Sequence, residues 1–226
     1  CIRDRMDYYK NKRKVILMAL NQNFEEIMTG RRSVKLFDES VKIPRSEMNE
    51  MIRKATLAPS SINMQPWRFV VVDTEEGKDT LRPLVQFNTR QNDSSAAMIV
   101  IFGDMLNYEY AEEIYGSAVE QGFMPEDVKV DLVKRFVGMY EGLDQQSMND
   151  IVKVDSSLAA MQLMLVAREH GYDTNPIGGF EREKIAEGLG LDPQRYVPVM
   201  IVAIGKAAQE GRPSARLDVD RIVQYR

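Results

Sequence analysis

Arg31-Arg32-Ser33-Val34-Lys35 sets three cations and a hydroxyl within five residues. An arginine guanidinium is a planar fork that matches a phosphate with two hydrogen bonds, roughly twice as strong as neutral ones. If the segment is extended, alternation puts Arg31, Ser33 and Lys35 on one side of it. A second run, Ala58-Pro59-Ser60-Ser61-Ile62-Asn63-Met64-Gln65-Pro66-Trp67, is dense in hydroxyl and amide groups between prolines that restrict the backbone. Ser60, Ser61, Asn63 and Gln65 supply donors and acceptors able to read the edge of a ring. The two runs together meet the needs of an anionic, planar, hydrogen-bonding cofactor, and flavin mononucleotide (FMN) is the natural candidate. Each run also has a plainer reading. The first could be a solvated basic turn after a helix, the second an ordinary polar loop leading into a strand.

Three further stretches could join such a site. Asn175-Pro176-Ile177-Gly178-Gly179-Phe180 carries paired glycines, which let a backbone approach a ligand and present amide donors. Phe87-Asn88-Thr89-Arg90-Gln91 offers amide side chains before a strand, and Arg216 sits in an exposed-looking Pro-Ser-Ala-Arg-Leu stretch. His170, the only histidine, falls in the last turn of a helix and reads as a structural cap or a surface residue rather than a catalytic one. With one histidine and one cysteine, Cys1, internal disulfides and cysteine-based metal clusters are excluded and a zinc site is disfavoured.

The elements that must position these residues follow from the pattern. Asn23, with Glu26 three positions on, opens a short helix that ends near Gly30, so the cationic cluster lies at a helix exit. Pro44 opens another helix, where Met48, Met51, Ile52 and Ala55 form one buried face. Residues 67–72, 97–103 and 197–205 are continuous apolar strands, which predicts helices over both sheet faces. Asp73-Thr74 caps a helix to about Leu81. Residues 106–150 are helical, interrupted at Pro125, and read as an inserted pair. Asp155 is expected to cap a long helix over 156–170 that is apolar on nearly every side and closed by Gly171. A helix of that kind must be buried all round, which in a chain of 226 residues suggests burial against a second subunit.

Residues 1–22 read as an extension outside the core, with Met18 a plausible natural start, and 23–226 as one domain. The 44 % hydrophobic and 28 % charged composition fits a soluble globular protein, and the net charge of −4 argues against nucleic-acid or anionic-lipid partners. No apolar stretch approaches the roughly 20 residues of a membrane span, and the cysteine count suits the cytoplasm.

The order Arg-Arg-Ser-Val-Lys-x-Phe, Ala-Pro-Ser-Ser-x-Asn-x-Gln-Pro-Trp, Gly-Gly-Phe and a late arginine resembles the FMN-dependent nitroreductase family from about Phe24 to Arg216. That resemblance implies an α+β sandwich, a mainly antiparallel sheet flanked by helices, and a homodimer with two FMN sites at its interface. It implies that Arg31, Arg32, Ser33 and Lys35 hold the phosphate and pyrimidine edge, with Arg216 closing on the phosphate. Pro59, Ser60, Ser61 and Asn63 would reach the flavin held mainly by the other subunit. Asn88 and Gln91 match pyrimidine-ring positions, and Pro176, Ile177, Gly178 and Gly179 would lie against the ring system near N5. Gly178 stands where some members carry an acid, and Gln91 and Ser214 where others carry lysine. The implied activity is electron transfer from NADH or NADPH to an electron-poor small molecule, a nitroaromatic or quinone, with ping-pong kinetics and no catalytic side chain. A flavin-sequestering protein without turnover, or another flavin reaction such as dehalogenation or flavin breakdown, remains open.

Overall fold

The structure, a computed structural model, describes Asn21 and residues 23–226. The expectations for the N-terminal extension and for Met18 lie outside the described residues. Helix α1 (Phe24–Gly30) starts as its sequence demands: the Asn23 side chain accepts from the Glu26 amide and donates to the Glu26 carboxylate. Pro44 precedes α2 (Arg45–Ala55), which buries Met48, Met51 and Ala55. Strand β1 (Trp67–Val72) is followed by α3 (Glu75–Leu81), capped by Thr74, and by the short α4 (Thr89–Ser94). Strand β2 (Ala97–Asp104) leads to α5 (Ala111–Glu120) and α6 (Glu126–Glu141), with Pro125 at the N-cap of the latter. The long α7 (Gln145–Glu169), β3 (Asp173–Ile177), the one-turn α8 (Ile185–Gly188) and β4 (Tyr196–Gly205) complete the chain's regular elements.

The four strands form one antiparallel sheet in the order β1-β2-β4-β3. Every residue of β2 is buried, because both sheet faces are covered. One face carries Ile99, Ile101, Val202 and Ile204 under α2 and α7. The other carries Met98, Val100, Phe102, Ile201 and Ala203 against Val34, Phe37, Leu81, Val85 and Ile185. A third cluster, with Tyr115, Val133, Tyr140, Met148 and Val152, lies among α5, α6 and α7. Gly103 lets α7 come this close: a Cβ there would stand 2.6 Å from a Val152 methyl.

Two expectations are corrected. The long helix begins at Gln145, capped by Asp144, so Asp155 lies in its interior rather than at its start. Pattern alone missed this because 145–154 is mostly polar and reads as a separate segment. Asn175 to Ile177, expected as the start of a turn running to Phe180, belong to the edge strand β3; the proline tolerates that place because an edge leaves one side of the ladder unpaired. The helix is also less enclosed than its composition suggests. Val154, Leu158 and Met161, spaced i, i+4, i+7, are 61 %, 44 % and 41 % exposed.

His170 is the C-cap of α7 and is buried. Its Nδ1 lies 3.1 Å from Glu47 Oε1, and Tyr172 donates to Glu47 Oε2 at 2.9 Å, tying α2 to α7. Burial, reinforced by the Glu47 carboxylate, pushes the Tyr172 phenol up to about 12, so it stays a donor. This is the structural role that the sequence suggests for the lone histidine.

Candidate functional site

The cationic segment leaves α1 in extended form and docks on the free edge of β3. Ser33 bridges Thr174, and the Val34 amide donates to the Thr174 carbonyl at 3.0 Å. The Ala208 amide donates to the Leu36 carbonyl, and the Phe37 amide to Ser94 Oγ. Val34 is a buried anchor, so Ser33 and Lys35 face outward as the alternation requires; Phe37 is buried too, where the alternation has ended. Arg32 donates to the Thr29 and Arg31 carbonyls. Among the described residues Arg31, Arg32 and Lys35 have no carboxylate partner. Three clustered cations without an acid form an anion-binding surface.

The same edge gathers the other expected residues. Asn88 donates to the Gly179 carbonyl at 2.9 Å, and the buried Gln91 donates to Asn88 Oδ1 at 3.1 Å. A Cβ on Gly178 would meet no atom within 4 Å, so the paired-glycine turn faces open space. The amides of Gly178 and Gly179 donate to nothing among the described residues. Thr174 Oγ1 and Asn175 Nδ2 are buried without partners, an uncommon state for polar atoms. Uncompensated cations, free amides and orphaned polar atoms on one edge fit an anionic ring-bearing cofactor such as FMN. Arg216 is less engaged. The chain beyond β4 passes directly over Arg32 and Ser33 at Gly211, where a Cβ would fall 2.4 Å from Arg32 Cβ. Arg216 follows five residues later, at most about 18 Å of extended chain away, and bonds only to the carbonyls of Ser214 and Ala215.

The Pro59 to Asn63 residues sit elsewhere. They precede β1, and β1 and β3 are the two opposite edges of the sheet. Three strand spacings, about 14 Å, separate those edges. Within one chain the sheet therefore brings Arg31, Arg32, Ser33, Lys35, Asn88, Gln91 and 176–179 together, and holds Pro59, Ser60, Ser61 and Asn63 apart from them. The polar ledge has an unusual backbone. Ile62, Asn63 and Gln65 have φ of 44°, 57° and 46°, three of the four non-glycine positive values among the described residues. For a β-branched residue such as Ile62 this conformation is strained, at a cost of about 1–3 kcal/mol.

Residues that the sequence did not assign to the site hold that strain. The Ser61 amide donates to Asp155 Oδ2 at 3.0 Å, Tyr115 donates to the Ile62 carbonyl at 2.7 Å and Tyr140 to the Ser61 carbonyl at 3.4 Å. The Gln65 amide donates to Ser60 Oγ. Asp155 is only 3 % exposed and has no cation beside it among the described residues. Burial pushes its carboxyl above the usual range, against the Ser61 amide that favours the anion. Burial likewise raises both phenols, and the Asp155 charge adds to the effect on Tyr140. The one signal in the sequence was an acid directly before the apolar run of α7.

Comparison with known proteins gives the family and the fold. The model of the nitroreductase family matches residues 28–206. A protein of Bacillus subtilis named as a candidate NAD(P)H nitroreductase, YdgI, is 51 % identical over 209 residues, covering 92 % of this chain and all of the relative. The CLA biosynthesis enone reductase of Lactiplantibacillus plantarum is 41 % identical over 88 % of this chain and 92 % of its own. The crystal structure of a candidate nitroreductase in complex with FMN from Exiguobacterium sibiricum superposes with a TM-score of 0.89 at 51 % identity, over 92 % of this chain and 99 % of that one.

Proposed function

The chain belongs to the nitroreductase family, and from that premise we propose that it is an FMN-dependent oxidoreductase drawing electrons from NADH or NADPH. The observation that carries this reading is the meeting of Arg31, Arg32 and Lys35, unneutralised by any acid among the described residues, with the open Gly178-Gly179 turn on one sheet edge. When bound, FMN supplies a ring that takes a hydride from a reduced nicotinamide and passes electrons to an acceptor. The protein's part is to bind and orient. Arg31, Arg32 and Arg216 hold the phosphate, and Ser33 and Lys35 the ring edge, where a fixed cation stabilises negative charge on the reduced ring. Asn88 and Gln91 read the pyrimidine, and Pro176 to Gly179 support the ring with backbone amides. Solvent supplies the proton, so no side chain serves as a general acid. Donor and acceptor use one place in turn, which gives ping-pong kinetics.

The acceptor is an electron-poor small molecule, a nitroaromatic or a quinone. A second reading, reduction of a carbon–carbon double bond conjugated to a carbonyl, is favoured by the 41 % identity to an enone reductase. The working form is a homodimer in the cytoplasm. Two features support the dimer: the exposed stripe Val154, Leu158 and Met161 on α7, and the placement of the ledge at the sheet edge opposite the cations. A second copy supplies the ledge that one copy cannot bring to its own cations. Among the described residues no helix is long and apolar enough to cross a membrane.

An absorbance spectrum of the purified protein with FMN tests the reading, taken before and after NADH or NADPH is added without oxygen. Bound yellow flavin that bleaches supports it. Protein that stays colourless refutes it, and bound flavin that resists both nicotinamides leaves only sequestration. Initial rates with a nitroaromatic, a quinone and an enone then separate the acceptors.

A further inference from the structure

The helical pair α5–α6 touches the ledge at two carbonyls. Tyr115 sits on α5 and Tyr140 at the end of α6, and their hydroxyls reach the Ile62 and Ser61 carbonyls. Asp155, on α7 between the pair and the sheet, takes the Ser61 amide. The three anchors grip consecutive peptide groups of the segment in which Ile62, Asn63 and Gln65 take left-handed backbone angles. Left-handed conformations at non-glycine residues persist only where surrounding structure over-determines them. Met64, between them, is buried in the same cluster as Tyr115 and Tyr140, so its side chain pins the segment from below. The outward side of that segment carries Ser61 and Asn63, both exposed.

We propose that Tyr115, Tyr140 and Asp155 are positioning residues: they clamp 61–65 in its strained conformation, and the helical pair thereby sets the face that the ledge offers to the cofactor of the partner subunit. The proposal rests on the FMN reading above. It assigns α5 and α6 a task in cofactor binding beyond any contact with the acceptor. The clamp uses phenols that burial keeps protonated, so they remain donors across the working pH range. Asp155 serves through its acceptor oxygen, so an amide at that position should substitute for it and a methyl should not.

The test uses the full-length protein and two readouts. The first is amide hydrogen exchange of the peptide spanning 60–66 without FMN; the second is FMN affinity by fluorescence titration, with the visible spectrum of the bound flavin. The variants are the double substitution Tyr115→Phe/Tyr140→Phe, Asp155→Ala and Asp155→Asn. Exchange is expected to rise at least tenfold in the double variant and in Asp155→Ala. FMN affinity should fall about tenfold in the same two, with a shifted flavin spectrum, while Asp155→Asn stays within about threefold of the parent on both readouts. Unchanged exchange in the double variant and in Asp155→Ala overturns the clamp, and so does faster exchange with FMN affinity and spectrum intact. If the double variant does not fold, the Asp155→Ala and Asp155→Asn pair decides by the same criteria. A parent protein that binds no FMN overturns the cofactor reading, and with it the clamp's assigned purpose, whatever the exchange shows.

Discussion

The cationic segment and the polar ledge are both loops that follow a short helix, yet they are held in opposite ways. Residues 31–37 are fixed through their backbone, by pairing with Thr174 and Ala208. Among the described residues their cationic side chains meet no carboxylate, Arg32 bonding only the Thr29 and Arg31 carbonyls, and the conformation is ordinary extended chain. Residues 60–65 are fixed by side chains that come from 53 to 94 positions away and bond to their peptide groups, in a conformation the chain would not choose alone. The first region can recognise a ligand by charge because its cations are not neutralised by any acid among the described residues. The second must recognise by shape, because what the fold specifies there is the path of the backbone.

That contrast orders the expected effects of substitution. Arg31→Ala should weaken FMN binding most, by about 2–3 kcal/mol, the scale of a lost charged hydrogen bond. Titration of FMN fluorescence checks it, and an unchanged dissociation constant would move the phosphate away from the cationic segment. On the ledge, Gln65→Gly should act in the other direction on stability. Glycine accepts the positive φ of 46°, so the unfolding free energy from urea melts should rise by an amount on the order of 1 kcal/mol, while a fall would show that the segment is not strained.

Asp155→Asn should give a modest gain in stability at neutral pH. The folded carboxyl titrates above its unfolded value. Its stabilising, protonated state is therefore complete below about pH 3.8 and is lost as pH rises through the raised value. The amide avoids that loss, so the two proteins should differ at pH 7 and converge in acid; urea melts at both pH values decide. Smallest of all is Ser61→Ala. Both ledge bonds at this position use the backbone, so FMN affinity should change by no more than about 0.5 kcal/mol. A loss as large as that of Arg31→Ala would make the hydroxyl, rather than the backbone path, the recognising group.

The two regions also differ in how openly the sequence declared them. Arg31 to Lys35 could be read because charge is a property of residue type, and because Val34 alternates with the outward Ser33 and Lys35. The capping pair Asn23 and Glu26, the buried stripe of α2 and the apolar strands β1, β2 and β4 were legible for the same local reason. Strand β3 was not: a proline and two glycines around an edge strand look like a turn until Thr174 is seen to bond Val34. Asp155 reads as a cap because an acid before an apolar run fits that role, whereas the helix starts among the polar residues from Gln145 onward. Tyr115 and Tyr140 gave no sign, since a buried tyrosine and a tyrosine that holds a distant carbonyl have the same local neighbours. Bonds across 53 and 79 residues belong to the tertiary fold, not to the pattern.

The pairing of Leu36 with Ala208 sets a schedule for synthesis. A ribosome that has just released residues 31–37 must add some 170 more before their last partner emerges, whereas everything that shapes the ledge has left the tunnel once α7 is out. Long sequence separation delays contact formation. The anion-binding edge is thus the final piece to be assembled, and a nascent chain halted before Ala208 would carry its bare guanidinium groups without the strap that locks them in place.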